Sequence, residues 1–539
     1  MCGIHAVFSH TQPGPIEPQL LQRLRNRGPD HLGTVAVEFE RDDSTRVYVT
    51  LTSTVLSLRG DNLTEQPLVS NDTGAVLCWN GEAWSIGDKP VVGNDGVAVL
   101  NHLVHASRSG HEAILSSIRD IQGPFAFVFF EKKSKTLYFG RDRLGRRSLL
   151  RDTSEGYALS SIAGQTAPSW KEVEADGLYS INLASSEIIS SRHDWISDES
   201  HVSGIGTFNS TVSSEPESLS RESEALNLLR AHLSDSLHPR VLTVAVPPNT
   251  STTDSRIAVL FSGGLDCTVL ARMINDIVPP GQSIDLLNVA FENPRIAFHN
   301  KELDQAALYE LCPDRITGRK SFTELIQACP DRRWRFVNIN VPYTLTTAHR
   351  SDVINLIYPH NTEMDLSIAY ALYFAAMGVG KAQIAVDAEP EDYGTTARVL
   401  LSGLGADELF GGYQRHETAF QRHGYPGLID ELKLDVSRLG KRNLGRDDRA
   451  MSNWGREVRF PYLDEAFVKW AIGTPVWQKC DFGNGEDKTG VEPGKRLLRL
   501  LAQELGLPSV ATEKKRAIQF GARTAKMENG KVKGTTLIA

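Results

Sequence analysis

The sequence predicts a two-domain protein of the α/β and α+β classes: a strand-rich domain of stacked sheets, then a doubly wound parallel-sheet domain with C-terminal helices. Two observations predict this. Short apolar or alternating runs separated by turn formers fill residues 2–195, as in the strands of a layered domain. Further on, continuous apolar runs alternate with helical segments, as in a sheet whose strands are buried on both faces. A chain of 539 residues is long enough for two or three cores.

The first domain is predicted over residues 2–195. Its strand candidates carry alternating or continuous apolar residues, and a helix is predicted over residues 18–26. The strand candidates are residues 35–39, 47–51, 75–79, 125–130 and 136–139. Residues 196–220 are rich in Ser, Thr and Glu and lack periodicity, which indicates a linker.

The second domain is predicted over residues 221–539. It opens with an amphipathic helix at residues 222–237, and residues 247–254 form a polar insertion before the first buried strand. The elements that follow are strands at residues 256–261, 284–291 and 399–401 and helices at residues 302–311 and 496–505. This alternation favours a parallel sheet covered by helices.

Composition argues against several classes of partner. A net charge of −8 and a pI of about 6.0 do not favour nucleic acid or an anionic membrane surface. No apolar run reaches the roughly 18 residues of a membrane span, and no N-terminal signal segment is evident. The six cysteines have no CxxC and no paired spacing. These features predict a cytoplasmic protein with reduced thiols rather than a disulfide framework or a zinc site.

Cys2 directly follows the initiator methionine. Removal of Met1 would place its thiol beside a free α-amino group, whose ordinary pKa of about 7.7–8.0 suits a general base near neutrality. The residue would then combine nucleophile and base for attack on a carboxamide. The alternative is a small buried cysteine in a first strand, and the opening tetrapeptide alone leaves both interpretations open.

A candidate phosphate loop follows the first buried strand of the second domain. Residues 262–267 read Ser-Gly-Gly-Leu-Asp-Cys, and an apolar helical segment comes next. Glycines here let backbone N–H groups approach an anion at a helix N-terminus, and Asp266 can hold a magnesium ion against phosphate oxygens. An ordinary strand–turn–helix is the alternative. The segment is not a Walker A loop, because no Gly-Lys-Ser/Thr follows.

A second glycine-flanked loop, residues 402–413, follows the strand at residues 399–401 and contains Asp407. Open α/β sheets bind ligands at the carboxyl ends of their strands, so Asp407 could share a magnesium ion with Asp266. The alternative is a solvated Asp-Glu pair at the start of a helix.

Together these motifs resemble the glutamine-hydrolysing asparagine synthetases, and more closely their asparagine synthetase domain-containing branch; the loop at residues 262–267 is similar to that of the ATP pyrophosphatases. The resemblance covers nearly the whole chain. It rests on residues 1–4, 27–30, 66–68, 79–82, 93–95 and 140–146 in the first domain, and on residues 262–267, 402–413 and 459–464 in the second.

The resemblance implies an αββα sandwich of the Ntn-type class II glutamine amidotransferases, followed by an ATP pyrophosphatase (PP-loop) domain. It implies a ligase that converts aspartate, glutamine and ATP into asparagine, glutamate, AMP and pyrophosphate, in asparagine biosynthesis. ATP and Mg²⁺ would be required, glutamine and aspartate would be the small-molecule substrates, and a homodimer is the family-level expectation.

The resemblance also implies a role for each matching residue. Cys2 would attack the glutamine amide, with Asn80 and Gly81 as the oxyanion hole, and Asp95 and Glu82 would bind glutamine. Asp266 and Asp407 would hold the metal, and Lys515 or Arg516 would neutralise pyrophosphate. The full set of nucleotide-binding positions is Leu260, Ser262, Gly263, Gly264, Cys267, Val289, Ser402, Gly403 and Lys515.

Three positions depart from the family pattern. Val55 stands where the family has the arginine that binds the glutamine carboxylate; Arg59, four residues on in an extended strand, would lie on the same face about 13 Å away. Leu404 replaces the glutamate proposed as the base for ammonia, which leaves Glu408 or Glu363 as substitutes. Cys267 replaces a serine, and a thiol is a weaker hydrogen-bond donor.

These departures keep two alternatives open. One is a catalytically degenerate nucleotide-binding protein with a regulatory or scaffold role. The other is an amide ligase that acts on a different carboxylate, a hypothesis suggested by Leu404 and by the basic residues Arg315, Arg319 and Arg333.

Overall fold

A computed structural model describes residues 2–41, 43–154, 156–164, 169–185, 187–196, 201–213, 218–483, 491–527 and 533–538. The chain divides into two compact units. The first comprises Met1–Glu199, Ile354–Asn361 and Leu439–Arg456, and the second comprises Ser200–Val353, Thr362–Arg438 and Glu457–Ala539. None of the described helices combines the length and the apolar character needed to cross a bilayer.

Two six-stranded sheets dominate the first unit. In spatial order, the strands of one sheet are Lys171–Glu172, Leu150–Asp152, Tyr157–Ser160, Gly3–Ser9, Arg46–Val55 and His31–Glu40. Those of the other sheet are Ser190–His193, Leu178–Asn182, Thr136–Arg141, Phe125–Glu131, Val76–Gly81 and Leu68–Val69. A small third sheet contains Lys89–Pro90, Ser85–Ile86 and Ile121–Gln122. All five predicted strand segments of this unit are strands in the structure.

The two large sheets pack face to face with helices outside them. Alternate residues of the first strand, Ile4, Ala6 and Phe8, share one core with Val128 and Phe139 of the facing sheet, as the two-residue period of a strand requires. Trp79, Phe125 and Phe127 project from the other face of the second sheet into a core with residues of the helices Asp95–Ser107 and His111–Arg119. The helix Pro18–Arg27 contacts the first sheet. The unit is therefore layered helix, sheet, sheet, helix.

The second unit contains a seven-stranded sheet. Its strands, in spatial order, are Glu391–Gly394, Val379–Gln383, Trp334–Val341, Ile284–Phe291, Ile257–Leu260, Val399–Leu401 and Glu457–Arg459. The last five are mutually parallel, and the first two pair antiparallel at one edge. The continuous apolar composition of the central strands matches their near-complete burial.

The helices of the second half of the chain follow the strands in alternation and then predominate. They are Glu224–Leu242, Leu265–Asn275, Pro294–His299, Gln305–Glu310, Pro313–Ala328, Tyr343–Ala348, Arg350–Ile357, Glu363–Met377, Ala406–Phe410, Gln414–Ser437, Leu439–Arg442, Leu444–Ser452, Glu465–Gly473, Arg496–Glu504, Pro508–Ala511 and Ile518–Gly521. Two 3₁₀ turns, Pro461–Leu463 and Val476–Gln478, complete the described elements. The six cysteines, all within the described residues, are buried and form no disulfide with one another.

Part of the segment predicted as a linker is ordered. His201–Val202 and Gly206–Thr207 form a two-stranded ribbon, and the backbone N–H of Asn209 donates to the carbonyl of Ile472 at 2.8 Å. These backbone hydrogen bonds explain why the segment is ordered although its sequence lacks apolar periodicity. Residues 197–200 and 214–217 of the predicted linker lie outside the described residues.

The first unit takes in two segments from the half of the sequence predicted as the second domain. The helix Leu444–Ser452 is buried in it despite four charged residues, because ion pairs compensate them. Arg27 and Asp448 pair at 2.9 Å with both side chains fully buried, and Arg449 pairs with Glu172 at 2.9 Å. A helix with this composition is ordinarily solvated, so the sequence gives no sign of its position.

Candidate functional sites

The Cys2 thiol lies at the start of the central strand Gly3–Ser9 of the first sheet. Its residue is 8% exposed, and the side-chain amide of Gln66 donates to the sulfur at 3.7 Å. The amide oxygen of Gln66 in turn accepts from the backbone N–H of Trp79 at 2.9 Å. Gln66 thus connects the thiol to the strand Val76–Gly81. Sequence reasoning used Gln66 only as part of a motif and did not give it this contact.

Asn80 and Gly81 end the strand Val76–Gly81. Asn80 is fully buried, and neither polar atom of its side-chain amide has a hydrogen-bond partner among the described residues. A buried amide without partners costs about 1–3 kcal/mol, so such groups are rare outside sites that bind a ligand. A Cβ at Gly81 would overlap with the carbonyl of Pro124, which explains the glycine. The amide is available to a ligand.

Asp95 begins the helix Asp95–Ser107. Its carboxylate accepts from the indole N–H of Trp79 at 3.0 Å and from the backbone N–H of Ala83 at 2.9 Å. Burial raises the pKa of Asp95, while the charge of Arg59 acts in the opposite direction. Glu82, predicted beside it, is buried, and its backbone N–H donates to Pro124 at 2.8 Å.

Arg59 does not lie on the strand face predicted for it, because the strand ends at Val55. It occupies the segment after the strand, where its guanidinium donates to the carbonyls of Ala83 at 2.6 Å and Val91 at 2.7 Å. Val55 itself is buried and carries no charge. Arg59 therefore binds the backbone carbonyl of Ala83, and Asp95 binds its backbone N–H. Together they place a cation and an anion near Ala83.

In the second unit, the two predicted loops follow neighbouring parallel strands. Ile257–Leu260 pairs with Val399–Leu401, so both loops emerge at the same edge of the sheet. A Cβ at Gly403 would come within 2.9 Å of the Asp266 Cβ, which shows that the loops are in close contact. Within strands that are otherwise buried, Leu260 and Val289 are the half-buried positions. The loops bring Ser262, Gly263, Gly264, Cys267, Ser402 and Gly403 to this edge.

Asp266 and Asp407 converge on one lysine that sequence reasoning missed. The Lys495 ammonium lies 2.8 Å from Asp266 and 2.9 Å from Asp407, and it is 3% exposed. Lys515 also donates to Asp407. Burial alone would raise the pKa of Asp407, but the charges of Lys495 and Lys515 hold it below its ordinary value. Likewise, the two carboxylates overcome burial and raise the pKa of Lys495.

The donor set fits magnesium bound together with phosphate. Mg²⁺ is ordinarily held by one or two carboxylates plus phosphate oxygens and water, and Asp266 and Asp407 supply two carboxylates. Within the described part of the chain, no group of three or more His, Cys, Asp or Glu side chains could hold a metal. A magnesium ion here would therefore take further ligands from a nucleotide.

The positions that depart from the family pattern have their own contacts. The Cys267 thiol donates to the carbonyl of Gly264 at 3.3 Å, and burial raises its pKa. Leu404 is half-buried in the loop and supplies no titratable group. Glu408 follows Asp407 directly and accepts from the Tyr413 hydroxyl at 2.6 Å; burial and the Asp407 charge raise its pKa. Glu363 begins the helix Glu363–Met377.

Arg315 and Arg319 have intramolecular partners. Arg315 donates to Asn288 at 2.7 Å and pairs with Glu310 at 2.9 Å, and Arg319 binds both Glu310 and Gln383. Arg333 is exposed. Two of the three arginines that suggested a different carboxylate substrate therefore have structural contacts that account for them.

Comparisons with known proteins match a different domain family to each end of the chain. A glutamine amidotransferase domain model matches residues 1–186, and an asparagine synthase model matches residues 393–433 and 422–535. An asparagine synthetase domain-containing protein 1 of Bos taurus is 34% identical over 99% of this chain and 97% of its own length. A Drosophila melanogaster asparagine synthetase domain-containing protein is 31% identical over 98% and 99%. A putative glutamine-hydrolysing asparagine synthetase of Methanocaldococcus jannaschii is 35% identical over 24% and 28%.

These matches define a glutamine amidotransferase domain joined to an asparagine synthase domain. The predicted two-domain architecture is confirmed at this level. The chain belongs to the family of asparagine synthetase domain-containing proteins.

Proposed function

We propose that the chain is a glutamine-dependent, ATP-consuming amide ligase that forms asparagine from aspartate. The observation that carries this proposal is the convergence of Asp266 and Asp407 on Lys495, at the edge where two parallel strands deliver glycine loops. The flanking glycines let a phosphate approach the backbone N–H groups, as a nucleotide site requires. An ion pair with a purely structural role does not require such glycines. The carboxylate acceptor aspartate, the cytoplasmic location and a homodimer belong to this proposal.

The first unit would release ammonia from glutamine. The Cys2 thiolate attacks the side-chain carbonyl of glutamine, and the Asn80 amide with the Gly81 N–H stabilises the oxyanion. The Asp95 carboxylate would bind the α-ammonium group of glutamine. Arg59, near Asp95, is the cation of this region that could attract the α-carboxylate in place of the arginine absent at Val55.

The second unit would activate the acceptor carboxylate. Asp266 and Asp407 would hold Mg²⁺, which supplies charge neutralisation on the β- and γ-phosphates of ATP. Lys495 and Lys515 would neutralise the leaving pyrophosphate, and the half-buried Leu260 and Val289 would contact the adenine. Attack of the carboxylate on the α-phosphate forms an acyl adenylate, and ammonia then displaces AMP.

A nucleotide-binding protein without turnover is the second candidate. Leu404 favours this candidate, because no proton acceptor occupies that position. The Cys267 thiol favours it too, because it donates to the carbonyl of Gly264 and a thiol is a weaker donor than a hydroxyl for a phosphate. Such a protein would bind ATP with magnesium and release no pyrophosphate.

The test measures magnesium-dependent pyrophosphate release in the presence of aspartate, with either glutamine or ammonia as the nitrogen source. We expect release with both. Cys2→Ala should abolish the glutamine-dependent reaction and leave the ammonia-dependent one within about twofold, while Cys329→Ala, a buried cysteine outside both sites, is the control. ATP binding without pyrophosphate release from either nitrogen source would replace the ligase with the second candidate.

A further inference from the structure

The second unit contains a buried carboxylate that the proposed function does not use. Asp314 is the second residue of the helix Pro313–Ala328, and only 9% of it is exposed. No hydrogen bond or ion pair among the described residues involves its carboxylate, whose oxygens are not among the side-chain atoms fully shielded from solvent. A Cβ at Gly521 would overlap with both carboxylate oxygens, so the carboxylate lies directly on the Gly521 backbone. Buried carboxylates ordinarily have partners, which makes this one a candidate for binding or proton transfer.

Asp314 lies on the helix that supports the phosphate loop. Ser321 of this helix donates to the Gly263 carbonyl at 2.6 Å, and a Cβ at Gly263 would overlap with the backbone of Gly318. Arg516 donates to Thr317, three residues beyond Asp314, at 2.9 Å. The helix therefore brings Asp314 to the same end of the sheet as the two glycine loops.

The charged groups that face Asp314 come from the C-terminal segment. The positive charges of Lys515 and Arg516 lower the pKa of its carboxyl group. Lys515 also donates a hydrogen bond to Asp407, as described above. On its own helix, the Cys312 thiol donates to the Gly521 carbonyl at 2.9 Å, and Arg315 is directed to Asn288 and Glu310. Burial raises the pKa of Asp314 to about 7, with Arg516 and Lys515 opposing the rise.

We infer that Asp314 is the proton acceptor for the attacking nitrogen in the amide-forming step, the role that Leu404 cannot fill. The inference rests on the proposed ligase function. Ammonia forms the new C–N bond at the acyl carbonyl, the bond from that carbon to the AMP oxygen breaks with its electron pair leaving on AMP, and one proton passes from nitrogen to the Asp314 carboxylate. The products are the amide, AMP and protonated Asp314, which returns its proton to water.

Two reactions of the full-length protein separate this role from substrate binding. Aspartate-dependent exchange of pyrophosphate into ATP reports adenylation alone, and amide formation from ammonia reports both steps. Asp314→Asn should keep the exchange rate within about twofold and lower amide formation by about 10²-fold or more, as expected for loss of a general base. Asp331→Asn, at an exposed position beyond the end of the same helix, is the matched control and should change neither rate.

Two further measurements distinguish a base from a structural residue. At a constant concentration of unprotonated ammonia, wild-type amide formation should rise with pH as Asp314 ionises near pH 7 and then level off, and the residual rate of Asp314→Asn should lack this step. Formate should restore part of the amide formation lost in Asp314→Ala.

The outcomes are distinct for the inference and for the proposed function. Loss of exchange and amide formation to the same extent, or retention of both in Asp314→Asn, overturns the role of Asp314 while leaving the ligase in place. A wild-type protein that catalyses no exchange overturns the ligase and this inference together.

Discussion

At the scale of single residues, Asn80 carries the clearest prediction for the first unit. Its amide is buried without partners, so its removal leaves no other protein group unsatisfied. We expect Asn80→Ala to lower the rate of glutamine hydrolysis by about 10²–10³-fold, the usual effect of removing one oxyanion donor. Thermal stability should not fall, because the substitution removes a desolvated amide rather than a hydrogen bond.

Asn71→Ala is the matched control for this experiment. Asn71 is exposed in the same unit, and its substitution should leave both hydrolysis and stability unchanged. A melting temperature that drops in Asn80→Ala together with the rate would show that the amide supports the fold and would refute its assignment to the oxyanion.

Lys495 carries the corresponding prediction for the second unit. Because Asp407 has a lowered pKa in the folded protein, its pairing contributes stability that is present above the ordinary Asp pKa and lost as pH falls through the folded pKa. Lys495→Met removes the cation between two carboxylates and should lower the free energy of unfolding at pH 7 by about 3–5 kcal/mol.

The variant should also differ from the wild type in how its stability responds to pH. Without Lys495, the two carboxylates lie together with Lys515 on Asp407 as the remaining cation. The folded pKa of one carboxylate should then rise above its unfolded value, so lowering the pH from 7 to 5 should stabilise Lys495→Met. Magnesium alone should stabilise it as well, because the metal ion takes the place of the lost ammonium beside the two carboxylates. Thermal melts measure both effects, and a melting temperature insensitive to pH and magnesium would contradict this account of the site.

The individual site residues show where sequence reasoning stops. Asp266 and Asp407 could be recognised because each sits in a glycine loop after an apolar strand. Lys495 could not, since it lies 229 residues from Asp266 in a segment whose only visible feature is the helix that follows. Asp314 gave no signal either, because burial without a partner is a property of tertiary packing alone.

At the scale of elements, the helix Leu444–Ser452 depends on charge pairing. Asp448 accepts from Arg27 at 2.9 Å and from the Ser148 backbone at 3.1 Å. Asp448→Asn keeps the shape but leaves the buried Arg27 guanidinium uncompensated, and we expect a loss of about 3–5 kcal/mol in the free energy of unfolding of the first unit. Urea unfolding followed by tryptophan fluorescence measures it.

The exposed Asp72 provides the comparison, since Asp72→Asn removes the same charge from solvent. We expect a change below about 0.5 kcal/mol for this surface substitution. Equal effects in the two variants would mean that the Arg27–Asp448 pair contributes nothing to the fold.

The sequence predicted the buried faces of the strands better than it predicted the burial of the helix Leu444–Ser452. The alternation of Ile4, Ala6 and Phe8, and the continuous apolar run of Ile284–Phe291, predicted both the elements and the faces they bury. The helix Leu444–Ser452 reads as a solvated helix because Arg and Asp dominate it. Its burial follows from partners far away in sequence, which local periodicity does not encode.

At the scale of the whole molecule, the first unit is not contiguous in sequence. Residues 354–361 and 439–456 belong to it, and they bring Asp448, Arg449 and His360 to partners in residues 2–196. A fragment of residues 1–196 leaves Arg27 and Glu172 without these partners. We therefore expect the fragment to be unfolded or aggregated, without glutaminase activity, when its circular dichroism and hydrolysis are compared with those of the full chain.

A soluble fragment with a cooperative melt and full hydrolysis would contradict this prediction. Adding residues 439–456 to the fragment as a synthetic peptide is the complementary experiment. Recovery of the melt on addition of the peptide would assign the missing stability to the helix Leu444–Ser452 rather than to the length of the chain.

The interrupted layout of the first unit has a consequence for synthesis on the ribosome. The N-terminal sheets are translated early, but their buried arginine and carboxylate groups meet their counterparts only after residue 456 has left the exit tunnel. A nascent chain therefore cannot complete the buried ion pairs of the first unit before most of the second unit has been made. Under the proposed function, the order of translation would keep unfinished chains from hydrolysing glutamine.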